Sequence, residues 1–521
     1  MQRKQEIFFL ILILLIASFF RFFDLGKIPP GLHPDEAING NEAYLFPGKI
    51  FYPENNGREG LYINLIFLSF KIFGPSTSSI RAVSAFFGIL TVLGLYLLAK
   101  EVFYYSKKKN ILALLCSFFL AISFWHTNFS RIGFRGVLLP FILVFFLYFL
   151  LLGIRQKTTW LIICSGVFFG LGFHTYSSFR LAPLFLLGIL IYLWFQEKWR
   201  FKKFLIFGLK LLLPAFLVAL PLGIYFLFNP SDFFGRLGPI SIFAQENIIS
   251  AFRKSLSQHL LMFNLFGDKN WRHNISGSPQ LFWPIGIFFL VGLAIFVNRF
   301  HLYFEEKKLK NGFYYFIPLL GFFVFLLAGV LTYQGIPHSL RTIGTIPFVY
   351  LFSGFGSIWT VNLIKKITSK YKFGPFLLKT LIVVFFLFVV FNQANRYFVL
   401  FAKNKNVEGA FCKNFVEMGK YLATLPENIK KYVVVNEEGV PVSWINQIPM
   451  PAQTLIFQEI VTYRKIKSLY IKPEGLDKIK LEKNSLVLLM REDEKLLEKL
   501  KEKYPEGKIK KDYPIIVFEL L

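Results

Sequence analysis

The chain has 521 residues, 55% of them hydrophobic and only 17% charged, and Phe alone occurs 67 times. Soluble domains carry about 25% charged residues, and here the apolar residues come in long unbroken runs. A disordered chain, a disulfide scaffold and an ordinary soluble enzyme are therefore excluded. The net charge of +28 is of the size that often marks nucleic-acid binding. Here, however, Lys and Arg sit in short blocks between apolar runs, the positive-inside pattern of a membrane protein, and no nucleic acid is required.

Eleven spanning helices are predicted, beginning near Ile7, Ala82, Ile111, Val137, Thr158, Leu181, Phe204, Leu281, Phe313, Thr342 and Phe376. Each run approaches the ~20 apolar residues that cross a hydrocarbon core. The first run is read as an uncleaved helix, because Arg21-Phe22-Phe23-Asp24 stands where a signal peptide needs small residues. Arg3, Lys4, Lys107–Lys109, Arg155, Lys157, Lys198, Arg200, Lys202, Lys203, Arg299, Lys307, Lys308, Lys310, Lys365, Lys366, Lys370 and Lys372 fall in loops on one side. The short loops of the other side hold only Arg131, Arg135, Arg180 and Arg341. This bias places the N-terminus in the cytoplasm, and an odd number of crossings places the C-terminus outside the cytoplasmic membrane.

Two long loops then face outward, residues 24–81 and 229–280. The first contains the apolar run Leu61–Phe73, too short to span and read as a helix lying in or re-entering the interface. After residue 402 the composition turns Lys- and Glu-rich. Short apolar runs at Tyr432–Val435, Ser468–Ile471, Leu486–Met490 and Ile515–Leu520 read as buried strands, and Glu492–Lys503 has helical spacing. The expected organisation is a polytopic α-helical membrane domain, residues 1–402, followed by a small extracytoplasmic α/β domain, residues 403–521. Cys116, Cys164 and Cys412 form no disulfide framework and no CxxC metal pair.

The polar residues gather on the outward side. In the first loop, Pro34 followed by Asp35 and Glu36 suits a helix start, where carboxylates meet the positive end of the dipole. The same acids are equally suited to take a proton from an acceptor hydroxyl. Further along come Glu54, Arg58 and Glu59. The short outer loops carry His126, Arg131, His174, Tyr176, Arg180, His338 and Arg341. Arginine on this face pairs either with lipid headgroups or with a shared anionic ligand such as a phosphate, for which the guanidinium offers a planar charged fork. The second long loop holds Asp268, Asn270, Arg272 and His273 in one dense cluster.

Read in order, these stretches resemble a known family. They are Pro29-Pro30-Gly31-Leu32-His33-Pro34-Asp35-Glu36-Ala37, Glu54-Asn55-Asn56-Gly57-Arg58-Glu59, Arg81-Ala82-Val83-Ser84-Ala85, Ser130-Arg131-Ile132-Gly133, Tyr176-Ser177-Ser178-Phe179-Arg180-Leu181-Ala182-Pro183, Gly267 to Pro279, and Pro337-His338-Ser339-Leu340-Arg341-Thr342-Ile343-Gly344. The chain resembles GT-C superfamily membrane glycosyltransferases of the protein O-mannosyltransferase and lipid A aminoarabinose transferase type, in particular the bacterial family 39 and RgtA-to-D-like members. The resemblance covers about residues 1–400.

It implies a polyprenyl-phosphate-linked sugar as donor, a hydroxyl of a lipid, glycan or protein as acceptor, and transfer with inversion on the outer face of the membrane. Asp35 takes the place of the general base, with Glu36 as its orienter or second carboxylate. Arg131, Arg180, Arg341 and His338 take the place of donor-phosphate ligands. Glu54, Arg58, Glu59, Tyr176, Asp268, Asn270, Arg272 and His273 are expected to bind substrate or support the site. Relatives bind a divalent cation between an acid of the first loop and a His before the eighth span; Glu54 and His273 fall in those places. Many relatives have Arg-Glu-Pro-Leu where this chain has Arg58-Glu59-Gly60-Leu61, which leaves the register of Glu54 and Glu59 open. A transporter or flippase of lipid-linked sugars is the competing class. It would carry its polar residues near the midplane on broken helices, whereas here they cluster at outer helix ends.

Overall fold

The computed structural model describes residues 2–197, 201–234 and 240–520. Lys198 and Arg200 of the expected inner loops lie outside these. The chain starts with a 20-residue apolar helix, α1 (Arg3–Phe22). It continues through α2 (Pro34–Leu45), a two-strand hairpin of β1 (Phe51–Tyr52) and β2 (Arg58–Glu59), α3 (Gly60–Phe73) and the long α4 (Thr77–Val102). Among the described residues nine helices are long and apolar enough to cross a membrane. These are α1, α4, Arg135–Gln156, Ser177–Glu197, Phe201–Phe228, Trp283–Glu305, Leu309–Val330, Ile343–Thr368 and Gly374–Phe401.

The two expected crossings that begin near Ile111 and Thr158 form shorter apolar helices, Lys109–Ala121 and Thr159–Gly172. The first ends because Ser123 starts a new turn, its Oγ accepting from His126 N at 3.2 Å. At 1.5 Å per residue, helices of 13 and 14 residues are about 20 Å long. The 14-residue α3 is likewise too short to span, as expected for an interfacial segment.

The chain divides into two compact units. The first comprises Met1–Phe23, Ser84–Arg131 and Arg135–Phe401; the second comprises Asp24–Val83, Ile132–Phe134 and Ala402–Leu521. In the first unit, two acids on apolar helices, Glu6 and Glu101, are buried and paired. Glu6 on α1 accepts from Lys100 Nζ and Asn110 Nδ2, each at 2.7 Å, and from Tyr96. Glu101 on α4 takes Arg155 in a fork at 2.7 and 3.0 Å. An ionisable group on a spanning helix is costly unless partnered, so these contacts fix α1, α4, Lys109–Ala121 and Arg135–Gln156 against one another.

The second unit is built on a five-stranded sheet. The remaining strands are β3 (Lys430–Val434), β4 (Pro441–Val442), β5 (Ile448–Pro449), β6 (Leu469–Ile471), β7 (Ser485–Leu489), β8 (Lys508–Asp512) and β9 (Ile515–Leu520). The sheet order is β6-β3-β7-β9-β8, with β6, β3 and β7 parallel and β9 and β8 antiparallel. Side chains alternate between faces. Val433, Leu486 and Leu488 point to one core with Phe415, Met418, Leu455 and Ile456. Tyr432, Val434, Val487 and Leu489 point to the other with Leu496, Leu497 and Leu500. The four expected strands and the last helix are present within one or two residues. The edge strand β8 was not expected, because all of its residues are exposed and it shows no apolar alternation. α2 packs beside this sheet domain, its Ile38 buried with Val442 and Met450.

Candidate active site

α2 starts in a way that explains the Pro-Asp-Glu sequence. His33 is the N-cap: Asp35 N donates to His33 Nδ1 at 3.1 Å, and His33 N donates to Glu36 Oε1 at 3.4 Å. Pro34 occupies the first turn, where its missing N–H costs nothing. The two adjacent acids then part. Glu36 is fully buried. Its carboxylate accepts from Arg81 Nε at 3.0 Å, Arg81 Nη2 at 3.1 Å and Gly133 N at 2.7 Å. Arg81 also reaches the carbonyls of Leu25, Pro29 and Gly31, so this pair locks the loop before α2. Gly133 has to be glycine: a Cβ there would stand 2.6 Å from Ile80.

Asp35 turns the other way. Its side chain is 34% exposed, and its Oδ1 accepts from Asn55 Nδ2 at 2.8 Å. Asn55 sits at the tip of the β1–β2 hairpin with φ 53°, followed by Asn56 and Gly57, also left-handed. Asn and Gly are the residues that tolerate this region. The hairpin is tied to α2 by Arg58, which is buried, donates to Asn39 Oδ1 at 2.7 Å and pairs with Glu42. Glu54 accepts from the backbone N of Ser443 at 3.1 Å and from its hydroxyl. Glu59 is buried at the base of the hairpin, opposite Phe51.

A second cluster forms within the first unit. The stretch from Gly267 to Pro279 folds into a tight loop. Gly267 lies so close to Ser278 that a Cβ would fall 1.9 Å from its carbonyl oxygen. Asn270 N donates to Asp268 Oδ1 at 2.8 Å, Arg272 N to Asn270 Oδ1 at 3.0 Å, and Asn128 Nδ2 to the Arg272 carbonyl at 2.7 Å. This leaves Asp268 buried and facing inward. Its Oδ2 lies 2.9 Å from His273 Nδ1 and accepts from Ser339 N at 2.9 Å and Ser339 Oγ at 2.8 Å. The rings of His273 and His338 are 4.8 Å apart. Burial alone would disfavour the charged Asp268, but the His273 imidazole and the Asn270 N–H outweigh it and hold the carboxyl well below its usual range. Burial pushes His338 well below the ordinary histidine range, with His273 and Arg341 adding to the effect.

One ligand atom from each of Asp268, His273 and His338 lies within 4.8 Å of the other two. A carboxylate held ionised and a His338 held neutral are the protonation states in which these groups ligate a metal. Two nitrogens and one oxygen form the set of a catalytic zinc site that keeps one position open. Within the first unit His273 lies with Asp268 and His338, and within the second unit Glu54 accepts from Ser443; the expected pairing of Glu54 with His273 joins residues of the two units.

The arginines differ in what they hold. Arg131 is fully buried; it donates to the carbonyls of Phe20 at 3.0 Å and Phe23 at 2.7 Å and stacks over Tyr397 and Phe398. It therefore caps the end of α1. Arg180 is half-buried, with Nη1 on the Phe233 carbonyl at 2.8 Å. Arg341 is half-buried, with Nη1 on Thr332 Oγ1 at 2.8 Å and the Gln334 carbonyl at 2.7 Å. Tyr176 is buried under the Arg135 guanidinium. Arg81, Asn55 and Ser339 all lie within the quoted motifs, yet none stood out as a site residue, because their partners are far away in sequence.

The comparisons with known proteins agree with this architecture. The family model described as dolichyl-phosphate-mannose-protein mannosyltransferase matches residues 61–225. Among curated proteins none matches the chain in sequence. Among solved structures, ArnT from Cupriavidus metallidurans bound to undecaprenyl phosphate superposes with a TM-score of 0.55 at 12% identity, covering 99% of this chain and 98% of that one. Its apo state gives 0.57 at 11% identity, with 98% and 97% covered. The Archaeoglobus fulgidus oligosaccharyltransferase in complex with Zn and sulfate gives 0.52 at 14% identity, with 92% and 67% covered. The chain is a multi-pass membrane protein with the fold of the GT-C glycosyltransferases, the superfamily its motifs resemble.

Proposed function

We propose that the protein is a glycosyltransferase. It moves a sugar from a polyprenyl-phosphate donor to a hydroxyl of a lipid, glycan or protein acceptor on the outer face of the cytoplasmic membrane, with inversion. The observation that carries this reading is the division of labour at the start of α2: Glu36 is buried on Arg81, while Asp35 is half-exposed and held by Asn55. A carboxylate in that setting suits a general base. The fold shared with ArnT and the match to the mannosyltransferase family model support the reaction class.

In the mechanism we assign, Asp35 takes the proton of the acceptor hydroxyl as its oxygen attacks the anomeric carbon. The bond from that carbon to the phosphate oxygen breaks, and polyprenyl phosphate departs with the electron pair. A phosphate monoester is a stable anion, so no protonated group has to assist its departure. Arg180 and Arg341 are assigned to the developing phosphate charge, each by a guanidinium fork. Arg131 is assigned to holding the end of α1, and Glu36 to setting the loop from which α2 starts. A divalent cation, if the reaction uses one, would be held by Asp268, His273 and His338, and would supply positive charge for phosphate oxygens.

The test is consumption of a panel of undecaprenyl-phosphate hexoses and pentoses by membranes containing the protein, followed as release of undecaprenyl phosphate. Wild-type membranes should consume at least one donor, and Asp35→Asn membranes with the same amount of protein should consume none. General-base loss costs about 10²–10⁴ in rate. Equal consumption by the two would overturn the assignment.

A further inference from the structure

We infer that the first unit holds one anionic glycerophospholipid away from the candidate active site, with an acyl chain in an apolar cavity between three long helices and its phosphate over the basic residues at the cavity rim. The inference is independent of the reaction class and of the part given to Asp35.

The cavity encloses about 510 Å³ between the helices Ser177–Glu197, Trp283–Glu305 and Leu309–Val330. This falls in the range of about 300–1,000 Å³ usual for small-molecule sites, which helical bundles place between their helices. Among the described residues that line it, the one polar side-chain atom is Tyr192 Oη, and it donates to the Leu309 carbonyl at 2.9 Å. Such a lining offers little to a water, which needs several polar partners, and in a bilayer the space fills with hydrocarbon. The walls hold one another in place. The Tyr192 ring stacks on Phe316 with centroids 4.6 Å apart, and Phe300 lies 5.6 Å from Phe316 and 6.1 Å from Phe304. Ile191, Phe195 and Phe304 are exposed at the rim, where a chain enters.

Charge at the rim selects the head of the guest. Phe300 follows Arg299, and Leu309 stands between Lys308 and Lys310, two residues after Lys307. The acids of this stretch are Glu305 and Glu306. Glu306 lies 2.8 Å from Lys308, and Glu305 lies 3.3 Å from His301. Arg299, Lys307 and Lys310 are exposed beside them, which leaves the rim net positive. Basic pockets between spanning helices take up anionic lipid headgroups, and each Lys or Arg near the surface is worth about fivefold in affinity. The same three helices meet the Tyr176–Arg180, Gly267–Pro279 and His338–Arg341 segments at their opposite ends. At 1.5 Å per residue those ends are roughly 20–30 Å away. A donor with its phosphate among those segments has none left for this rim, so the guest brings its own: a resident phospholipid rather than the sugar carrier.

The experiment uses full-length protein in neutral-detergent micelles containing phosphatidylethanolamine, with a trace of phosphatidylglycerol that carries a diazirine at the end of one acyl chain. After illumination, cross-links are mapped by peptide mass spectrometry. They should concentrate on residues 188–195, 300–304 and 309–316. Unlabelled phosphatidylglycerol should compete at least about tenfold better than phosphatidylethanolamine or undecaprenyl phosphate. Arg299→Gln/Lys310→Gln should weaken labelling about 25-fold, fivefold for each charge, with an unchanged melting curve in the absence of phosphatidylglycerol. Ile191→Trp, which fills the cavity from its exposed rim, should abolish labelling of these segments. Cross-links spread evenly over the apolar helices would overturn the inference, as would wild-type labelling of the double charge variant. Equal competition by phosphatidylethanolamine would remove the selection for an anionic head. Equal competition by undecaprenyl phosphate would give the cavity to the carrier instead. The wild-type map and the charge variant decide the matter even if Ile191→Trp fails to fold.

Discussion

Arg81 closes on Glu36 with two parallel donors, Nε to Oε2 at 3.0 Å and Nη2 to Oε1 at 3.1 Å, and both side chains are completely buried. The two residues are 45 positions apart, and the fork encloses one of two neighbouring acids while the other, Asp35, stays partly exposed. The backbone N–H of Gly133 adds a third donor to Glu36. A carboxylate so enclosed has no room to receive a substrate proton, and this separates Glu36 from Asp35.

A stability prediction follows for Glu36→Gln. The substitution keeps the shape of the side chain but leaves Arg81 buried without a counter-charge. Removing one member of a buried ion pair costs about 3–5 kcal/mol. The variant should melt at a clearly lower temperature in detergent, and its loss of transfer should follow its loss of folded protein. Asp35→Asn should show the opposite pattern, with wild-type melting and no transfer. A wild-type melting curve for Glu36→Gln would show that the pair does not hold the loop.

How much of this was readable without coordinates depends on the range of the interaction. Spans declare themselves through local composition, but the apolar runs beginning near Ile111 and Thr158, expected to cross, form helices of only 13 and 14 residues, because apolar composition does not show where a helix ends. The strands β3, β7 and β9 were legible because each is buried and apolar on both faces. The acids of α2 stood out because Pro34-Asp35-Glu36 is a helix-start signature. Which acid faces solvent was not legible, since it is set by Arg81 and by Asn55, each distant in sequence. The same holds for Asp268, which meets His273 five residues later but gains Ser339 and His338 only through packing 70 residues further on. The resemblance suggested an acid of the first loop beside His273 and gave no signal for Asp268 as its neighbour.

Arg341 should matter more to turnover than to folding. Its guanidinium is only half-buried, and its Nη1 donates to Thr332 Oγ1 and to the Gln334 carbonyl. Loss of one phosphate contact should cost roughly 2–4 kcal/mol of transition-state stabilisation, by analogy with removal of an oxyanion donor. Arg341→Lys should recover only part, because a lysine keeps the charge and loses the fork. Turnover by membranes at matched protein levels decides the matter, and wild-type rates in Arg341→Ala would remove the residue from the phosphate site.

The Asp268, His273 and His338 group makes a prediction about metal content. Protein stripped with a chelator and dialysed against zinc should take up about one ion per chain, as a three-ligand site with one open position would. Asp268→Asn and His273→Ala should each lose that ion, measured by elemental analysis after desalting. Glu54→Gln should keep it, because Glu54 is engaged by Ser443. Loss of zinc from Glu54→Gln with retention in Asp268→Asn would return the site to the pairing expected from sequence.

The C-terminal unit should lie outside the cytoplasmic membrane. The argument is electrostatic: segments rich in Lys and Arg are retained in the cytoplasm, and Lys107 and Lys108, Lys307 and Lys308, and Lys365 and Lys366 in the last turn of their helix belong to the basic blocks that the sequence assigns to the side of the N-terminus. The nine helices long enough to span among the described residues are themselves an odd number of crossings, which would carry the tail across. Glu438 is exposed in the turn after β3, so a cysteine there is accessible to reagent. Cys412 is half-buried and Cys116 buried, so a Cys412→Ser background removes the native thiol of the C-terminal region with little change in size. In this background Glu438→Cys should react with a membrane-impermeant maleimide in cells whose outer barrier has been opened but whose cytoplasmic membrane is intact. A cysteine at Lys108, in a basic loop, should react only after that membrane is lysed. The reverse pattern at the two positions would place the sheet domain in the cytoplasm. The proposed chemistry would then have to move to the inner face, because Asp35 lies in the same compact unit as the C-terminal sheet.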